Sequence, residues 1–413
     1  MNDLPGGWKR AALADVCEVS PRDPALPAAA PFVPMTAVEV GQRYPKYFEE
    51  RNSRGGVRAQ PGDILFARIT PCLENGKLAQ IPAHSAPVGG STEFIVVRAG
   101  VEIDPGYLYY WCQEPAVRAK AQSMMIGVTG RMRLSSRDLG TFQIAYPSMG
   151  DQQCIVEILE DHLSRLDAAD GLTRSTEMRL HAWRRASLDS LVHKDSNGTI
   201  PLGSLIEQVE AGRSFGGSAS PAGPDEWGII RVSAMTWGEF RQDENKAVPA
   251  DRVDPRYEIR AGDLLVSRAN TTAYVGAPVL VQKTRPRLLL SDKSLRLVPK
   301  SGIDARWLAA VLAAPSTRRQ ISALATGTKD SMRNISQRNL LLVSVPRVTP
   351  AQQERIAARI SSLRSNGSRL DNQLAVARAR SFALRRSLLS AVFSGRLSGR
   401  SIDAEMVKVM AGV

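Results

Sequence analysis

The chain has 413 residues, 43% hydrophobic, with 54 Lys and Arg against 41 Asp and Glu, for a net charge of +13. That length exceeds one ordinary core and calls for two or three domains. No apolar run approaches a bilayer span, and the four scattered cysteines (Cys17, Cys72, Cys112, Cys154) include no Cys-x-x-Cys pair, so neither a disulfide framework nor a zinc knuckle organises the fold. The opening MNDLPGGWKR lacks the apolar core of a secretory signal, and a cytoplasmic protein is expected. The charge draws phosphate backbones without sequence preference, although a general solubility charge would look the same.

Taken in chain order, LADVCE from Leu13 is followed by PGDILFARIT from Pro61, a Gly-Asp turn feeding an apolar run. FIVVRAG from Phe94 reads as a strand. PGYLYYWCQEPAVRAKAQSMM from Pro105, within the motif IDPGYLYYWCQEP from Ile103, reads as helix. GVTGRMRLSS from Gly127 is a polar loop. From Asp151 the pattern changes: Ile155, Leu159, His162, Leu166 and Ala169 recur every three or four residues. A helix of forty residues is about 60 Å long, more than a small domain is wide, which suits a rod or spacer.

The chain then repeats itself. LGSLIE from Leu202 answers LADVCE, and AGDLLVSRAN from Ala261 answers PGDILFARIT at an offset of 200 positions. IDARWLAAVLAAP from Ile303 and GTKDSMRNIS from Gly327 follow at the same offset. AQQERIAARISSL from Ala351 parallels DQQCIVEILEDHL from Asp151, and LRRSLLSAVF from Leu384 parallels WRRASLDSLV from Trp183. APVLVQ from Ala277 and LLLVSVP from Leu340 read as further strands. Collinear self-similarity of this kind means two tandem units. The expected organisation is α+β: mixed globular domains at 1–150 and 196–348, long helices at 151–195 and 349–397, and a tail at 398–413. Residues 151–195 carry nine acids and six Lys or Arg, while 351–400 carries two acids and ten Arg. Complementary charge beside apolar seams predicts that the two helices pair antiparallel.

No catalytic constellation stands out. GRSFGGSA from Gly212 lacks the Lys of a phosphate loop. No Pro-Pro exists to build an amino-methyltransferase base-holding loop, and the His-x-Glu and Pro-Cys-x-x-Cys of a zinc deaminase are missing. The histidines His84, His162, His181 and His193 do not cluster at ligand spacing, so no metal site is expected. Asp63 and Asp263 suit turns between strands. An enzyme with an unrecognised DNA-modifying or DNA-cleaving site is the alternative, and a protein-binding scaffold is disfavoured because the copies are not stacked.

LPGGWKRAALADVCEV at the start, the duplicated Gly-Asp and Ile-Asp motifs, the Gln-Gln opening each long helix and the closing SLLSAVFSGRLSG together resemble the specificity subunit of type I restriction-modification systems over about residues 5–400. The resemblance implies two target recognition domains joined by antiparallel spacer helices, each domain reading half of a split, asymmetric site on double-stranded DNA. It implies no enzyme activity in this chain. The expected partners are two adenine-specific methyltransferase subunits, which would carry S-adenosylmethionine, and, where one exists, a restriction and translocation subunit using ATP and Mg. No cofactor is expected in this chain itself.

Base edges are read by Arg, Lys, Asn, Gln, Ser and Thr on exposed loops. In the first unit the candidates are Arg68, Thr70, Asn75 and Lys77 after the Gly-Asp strand, then Thr129, Arg131 and Arg133. In the second they are Arg268, Asn270, Thr271 and Thr272, then Lys329, Ser331, Arg333 and Asn334. Arg68 and Arg268, shared by the copies, are expected to contact phosphate or serve structure. Unshared Asn75, Lys77, Asn270 and Thr271 are expected to read sequence.

Overall fold

The structure, a computed structural model, describes residues 4–27, 29–50, 55–128, 130–215, 220–236, 238–327, 330 and 332–395. Two compact units emerge. The first comprises the chain up to Arg174 and from Ala375 onward, the second Ser175–Leu374. The 398–413 tail lies outside the described residues. Among those described, no helix is long and apolar enough to cross a membrane.

The units are built on one plan. In the first, Cys17–Val19, Phe94–Ala99, Ile64–Ala67 and Leu78–Gln80 form an antiparallel sheet in that order. In the second, Ile206–Ala211, Ser294–Pro299, Leu264–Ser267 and Pro278–Leu280 do the same. A smaller sheet accompanies each and contains one parallel pair: Pro31–Val33 beside Val88–Gly90, and Gly228–Ile230 beside Leu288–Leu289. In each unit a two-stranded ribbon ties the strand before the sheets to the strand before the long helix, Lys9–Ala12 with Gln143–Tyr146 and Thr199–Pro201 with Ser344–Pro346.

The repeated Gly-Asp pair has a local cause. Gly62 and Gly262 sit at φ of +88° and +96°, where a side chain would be strained. Each following Asp then bonds back across the turn: Gln60 N–H donates to Asp63 Oδ2 at 2.7 Å and Arg260 N–H to Asp263 Oδ2 at 2.9 Å. The carboxylates also meet an arginine from the neighbouring strand. Arg98 donates to both oxygens of Asp63 at 2.9 and 2.8 Å, and Arg296 Nε lies 3.0 Å from Asp263. The strand pleat sends residues two apart to one face, which is how positions 98 and 296 (at the shared offset, 298 and 296) serve the same purpose.

The Ile-Asp motifs are helix starts. Asp104 accepts from Gly106 and Tyr107 N–H, and Asp304 from Arg306 and Trp307 N–H, satisfying donors that the first turn leaves orphaned. Pro115 and Pro315 divide the helical stretches into pairs, Pro105–Gln113 with Pro115–Ser123 and Ala305–Ala313 with Pro315–Leu324. Trp111 and Trp307 are wholly buried there. LLLVSVP is only partly strand. Ser336 caps a short helix, Gln337–Leu341, leaving Ser344–Pro346 extended; a cap outweighed the apolar run.

The long helices span Met149–His193 and Pro350–Phe393. Ser148 and Thr349 cap them, with Asp151 and Gln352 reciprocating. The register between copies differs from the sequence parallel. Buried Ile155 and Leu159 correspond to Ile356 and Ile360, an offset of 201. So Gln152, first of its Gln pair, does the work of Gln353, second of its own: each side-chain oxygen accepts from an Asp N–H, of Asp104 and of Asp304, at 2.9 Å. The apolar stripe also differs from expectation. Leu163, not His162, completes it, Ala169 is exposed, and Cys154 is exposed as well.

Within each unit the two helices run antiparallel. In the first, Arg385 pairs with Asp167 at 2.7 Å and Asp170 at 3.5 Å, and Leu388, Val392 and Phe393 join Ile155 and Leu159 in one core. In the second, Arg184 pairs with Asp371 at 2.8 Å, while Gln352 Nε2 reaches Asp195 O at 3.1 Å. The acid-rich and Arg-rich helices thus exchange ion pairs, and the buried aliphatics carry the contact.

Candidate nucleic-acid interface

The two candidate segments of each unit are neighbours in space. In the first, Ile69 bridges to Arg133, Thr70 N–H donates to Met132 O at 3.1 Å, and Leu134 N–H donates to Arg68 O at 2.9 Å. In the second, Ala269–Asn270 pairs with Arg333–Asn334, and Ile335 N–H donates to Arg268 O at 3.0 Å. The result is one strip per unit, made from residues more than fifty apart in the chain.

Some candidates are committed elsewhere. Thr70 Oγ1 accepts from Met132 N–H, and Lys77 Nζ donates to Met35 O at 2.7 Å. Thr272 Oγ1 donates to Asp330 at 3.1 Å. Asn270 is held by Ser267 Oγ and by Thr271 N–H. Arg333 spends its guanidinium on the carbonyls of Gly327 (2.9 Å) and Ala325 (2.6 Å). Asn75, Arg131, Thr271 and Asn334 are exposed, while Arg68 and Arg268 are half-buried. Thr129, Lys329 and Ser331 lie outside the described residues.

Two positioning residues escaped the sequence reading. Arg118 donates to Leu73 O and lies 5.0 Å from the Phe66 ring; Arg318, its counterpart, donates to Val275 O and lies 3.3 Å from Ala273 O. Both pin the loop that follows the Gly-Asp strand. Burial lowers each guanidinium to about 10, still charged at neutral pH. Their recurrence at the shared offset was the available signal. Glu93 is the other omission. It binds Arg133 through both carboxylate oxygens, Nε to Oε2 at 3.0 Å and Nη2 to Oε1 at 2.7 Å. That hydrogen bonding, helped by the charge of Arg68, holds its carboxyl below the usual range. The second unit has Lys293 in the same turn: Arg68 N–H donates to Glu93 O and Arg268 N–H to Lys293 O.

No family model matches the chain. It is 26% identical over 443 residues to the Escherichia coli type I restriction enzyme EcoEI specificity subunit, covering 82% of this chain and 74% of that protein. Over 162 residues, 37% of this chain and 28% of the relative, it is 27% identical to the EcoAI specificity subunit of the same organism. A chain solved in work on complex assembly and conformational transition of the type I R-M system superposes with a TM-score of 0.77 at 18% identity, over 96% of this chain and all of that one. The chain is a relative of the type I specificity subunits. The HsdS subunit from Thermoanaerobacter tengcongensis shares the fold as well, with a TM-score of 0.57 at 19% identity over 96% of this chain and 99% of that subunit. The type I specificity-subunit fold therefore accounts for the α+β architecture and the paired helices.

Proposed function

We propose that this chain is the DNA-recognition subunit of a type I restriction-modification assembly and catalyses no reaction itself. Its target recognition domains, 1–150 and 196–348, each read one half of an interrupted, asymmetric duplex site. The helices at 151–195 and 349–397 set the gap between halves and dock adenine methyltransferase subunits. S-adenosylmethionine then belongs to the methyltransferase, and ATP and Mg to any restriction partner. The observation that carries this reading is the recurrence of the same two-segment strip in both units, with Arg68/Arg268 and Arg133/Arg333 shared and different side chains at Thr70/Asn270 and Arg131 beside them. Tethering two weak readers raises the effective concentration of the second. Because DNA repeats every 34–36 Å, the helix pair must hold the readers in groove phase.

The test is the methylation pattern of cells expressing this chain with its adenine methyltransferase. An interrupted two-part motif supports the reading, and no motif, or one made by the methyltransferase alone, removes it. Within that motif Arg268→Ala should weaken binding alike for all sequences. Asn270→Ala should relax one position by about 1–3 kcal/mol. Equal loss at every base would exclude Asn270 as a reader.

A further inference from the structure

We infer that Arg133 reads a guanine in the first half-site and that Glu93 is the residue that positions it; this deepens, and rests on, the DNA-reading role proposed above. A guanidinium carries five N–H donors. Here Nε and one Nη2 hydrogen are bound to the Glu93 carboxylate at 3.0 and 2.7 Å. The Nη1–Nη2 edge remains, and it has the fork geometry that matches the O6 and N7 acceptors of guanine in the major groove. The Arg133 side chain is 45% exposed, while its backbone is bonded in both directions to Ile126, at 3.0 and 2.9 Å. Chain and side chain are both held before any ligand arrives, so little freedom is lost on contact.

Electrostatics favours base over phosphate. Glu93 neutralises Arg133 at close range, which weakens it as a general phosphate attractor and leaves its donor pattern intact. Arg68 stands near the same carboxylate and retains charge for the backbone. The second unit is arranged otherwise. Lys293 replaces Glu93, and Arg333 turns onto the carbonyls of Ala325 and Gly327. Two half-sites that differ at this point follow.

The experiment is selection from random duplexes by the full-length chain with its methyltransferase, followed by sequencing of the bound fraction. Arg133→Lys keeps the charge and loses the fork. It should abolish a single guanine preference, a five- to hundred-fold discrimination, with the other positions kept. Glu93→Gln should weaken that same preference while overall DNA binding holds or rises, because a negative charge has gone; a merely structural Glu93 would lower all positions together. A measurement on unaltered protein avoids dependence on variant folding: 7-deazaguanine at that position of the selected site should weaken binding at least five-fold. An unchanged motif with Arg133→Lys, uniform loss across positions, or indifference to 7-deazaguanine overturns the inference. If the unaltered protein enriches no motif at all, the DNA-reading role itself falls.

Discussion

The same turn in the two units carries Glu93 in one and Lys293 in the other, and this one exchange changes what the neighbouring arginine can do. In the first unit Arg133 is buttressed by a carboxylate and faces outward; in the second Arg333 folds back onto main-chain carbonyls. The surrounding frame is nearly invariant: Gly-Asp turn, Ile-Asp cap, loop-pinning arginine, capped long helix. Duplication therefore kept what local geometry requires and released what faces outward. A frame and a variable edge can diverge separately because they draw on different residues.

The comparison breaks most sharply at the Gly-Asp carboxylates. The Asp63 side chain is 2% exposed and shares Arg98 with Asp23, whereas Asp263 is 19% exposed. Asp63→Ala leaves a guanidinium short of partners and should cost about 3–5 kcal/mol. Asp263→Ala, better hydrated, should cost less than half of that in urea denaturation. Equal losses would mean that the turn bond, not the ion pair, dominates in both.

The glutamines at the helix starts sharpen the register. Buried Gln152 accepts from Asp104 N–H and donates to Glu102 O and Pro147 O, whereas Gln353 accepts from Asp304 N–H. Gln152→Ala should destabilise by about 2–3 kcal/mol and Gln353→Ala by about 1–2 kcal/mol. Gln352→Ala should cost less than Gln353→Ala in thermal unfolding, because Gln352 is half-buried and Gln353 buried; the reverse order would refute the 201-residue register.

One further expected effect depends on pH. At the junction of its paired helices the first unit has Glu114, the second Ala314. Burial pushes the Glu114 carboxyl from 4.5 up to about 7. The folded chain holds this proton more tightly than the unfolded chain does, so the contribution is complete below pH 4.5 and is lost as pH rises through about 7. Glu114→Gln should therefore gain about 2 kcal/mol at pH 8 and nothing at pH 4.5. A gain that did not change with pH would point to packing instead.

Much was legible because it is written within a few residues. The Gly-Asp turn and the helical stretch that follows the Ile-Asp motif each rest on contacts within a few residues of chain, and duplication doubled the evidence for them. The break at Pro115, inside a stretch read as helix, came from the structure. The expected stripe including His162 and Ala169 missed because three- and four-residue spacings both look helical on paper; which face is covered depends on the partner helix, and the burial of Leu163 decides it.

The sequence by itself determined the duplicated plan, the turns, the caps and the existence of two long helices, since these follow from backbone sterics and short-range hydrogen bonds. The tertiary structure alone decided that Arg98 and Arg296 neutralise the turn acids, that Gln152 answers Gln353, and that Glu93 grips Arg133. The bonded pairs, Asp63 with Arg98, Asp263 with Arg296, Asp104 with Gln152, Asp304 with Gln353 and Glu93 with Arg133, lie some thirty to fifty residues apart. Only the pleat of a sheet and the packing of one helix against another bring such groups within hydrogen-bond reach, and there a single substitution can redirect a side chain without disturbing the frame.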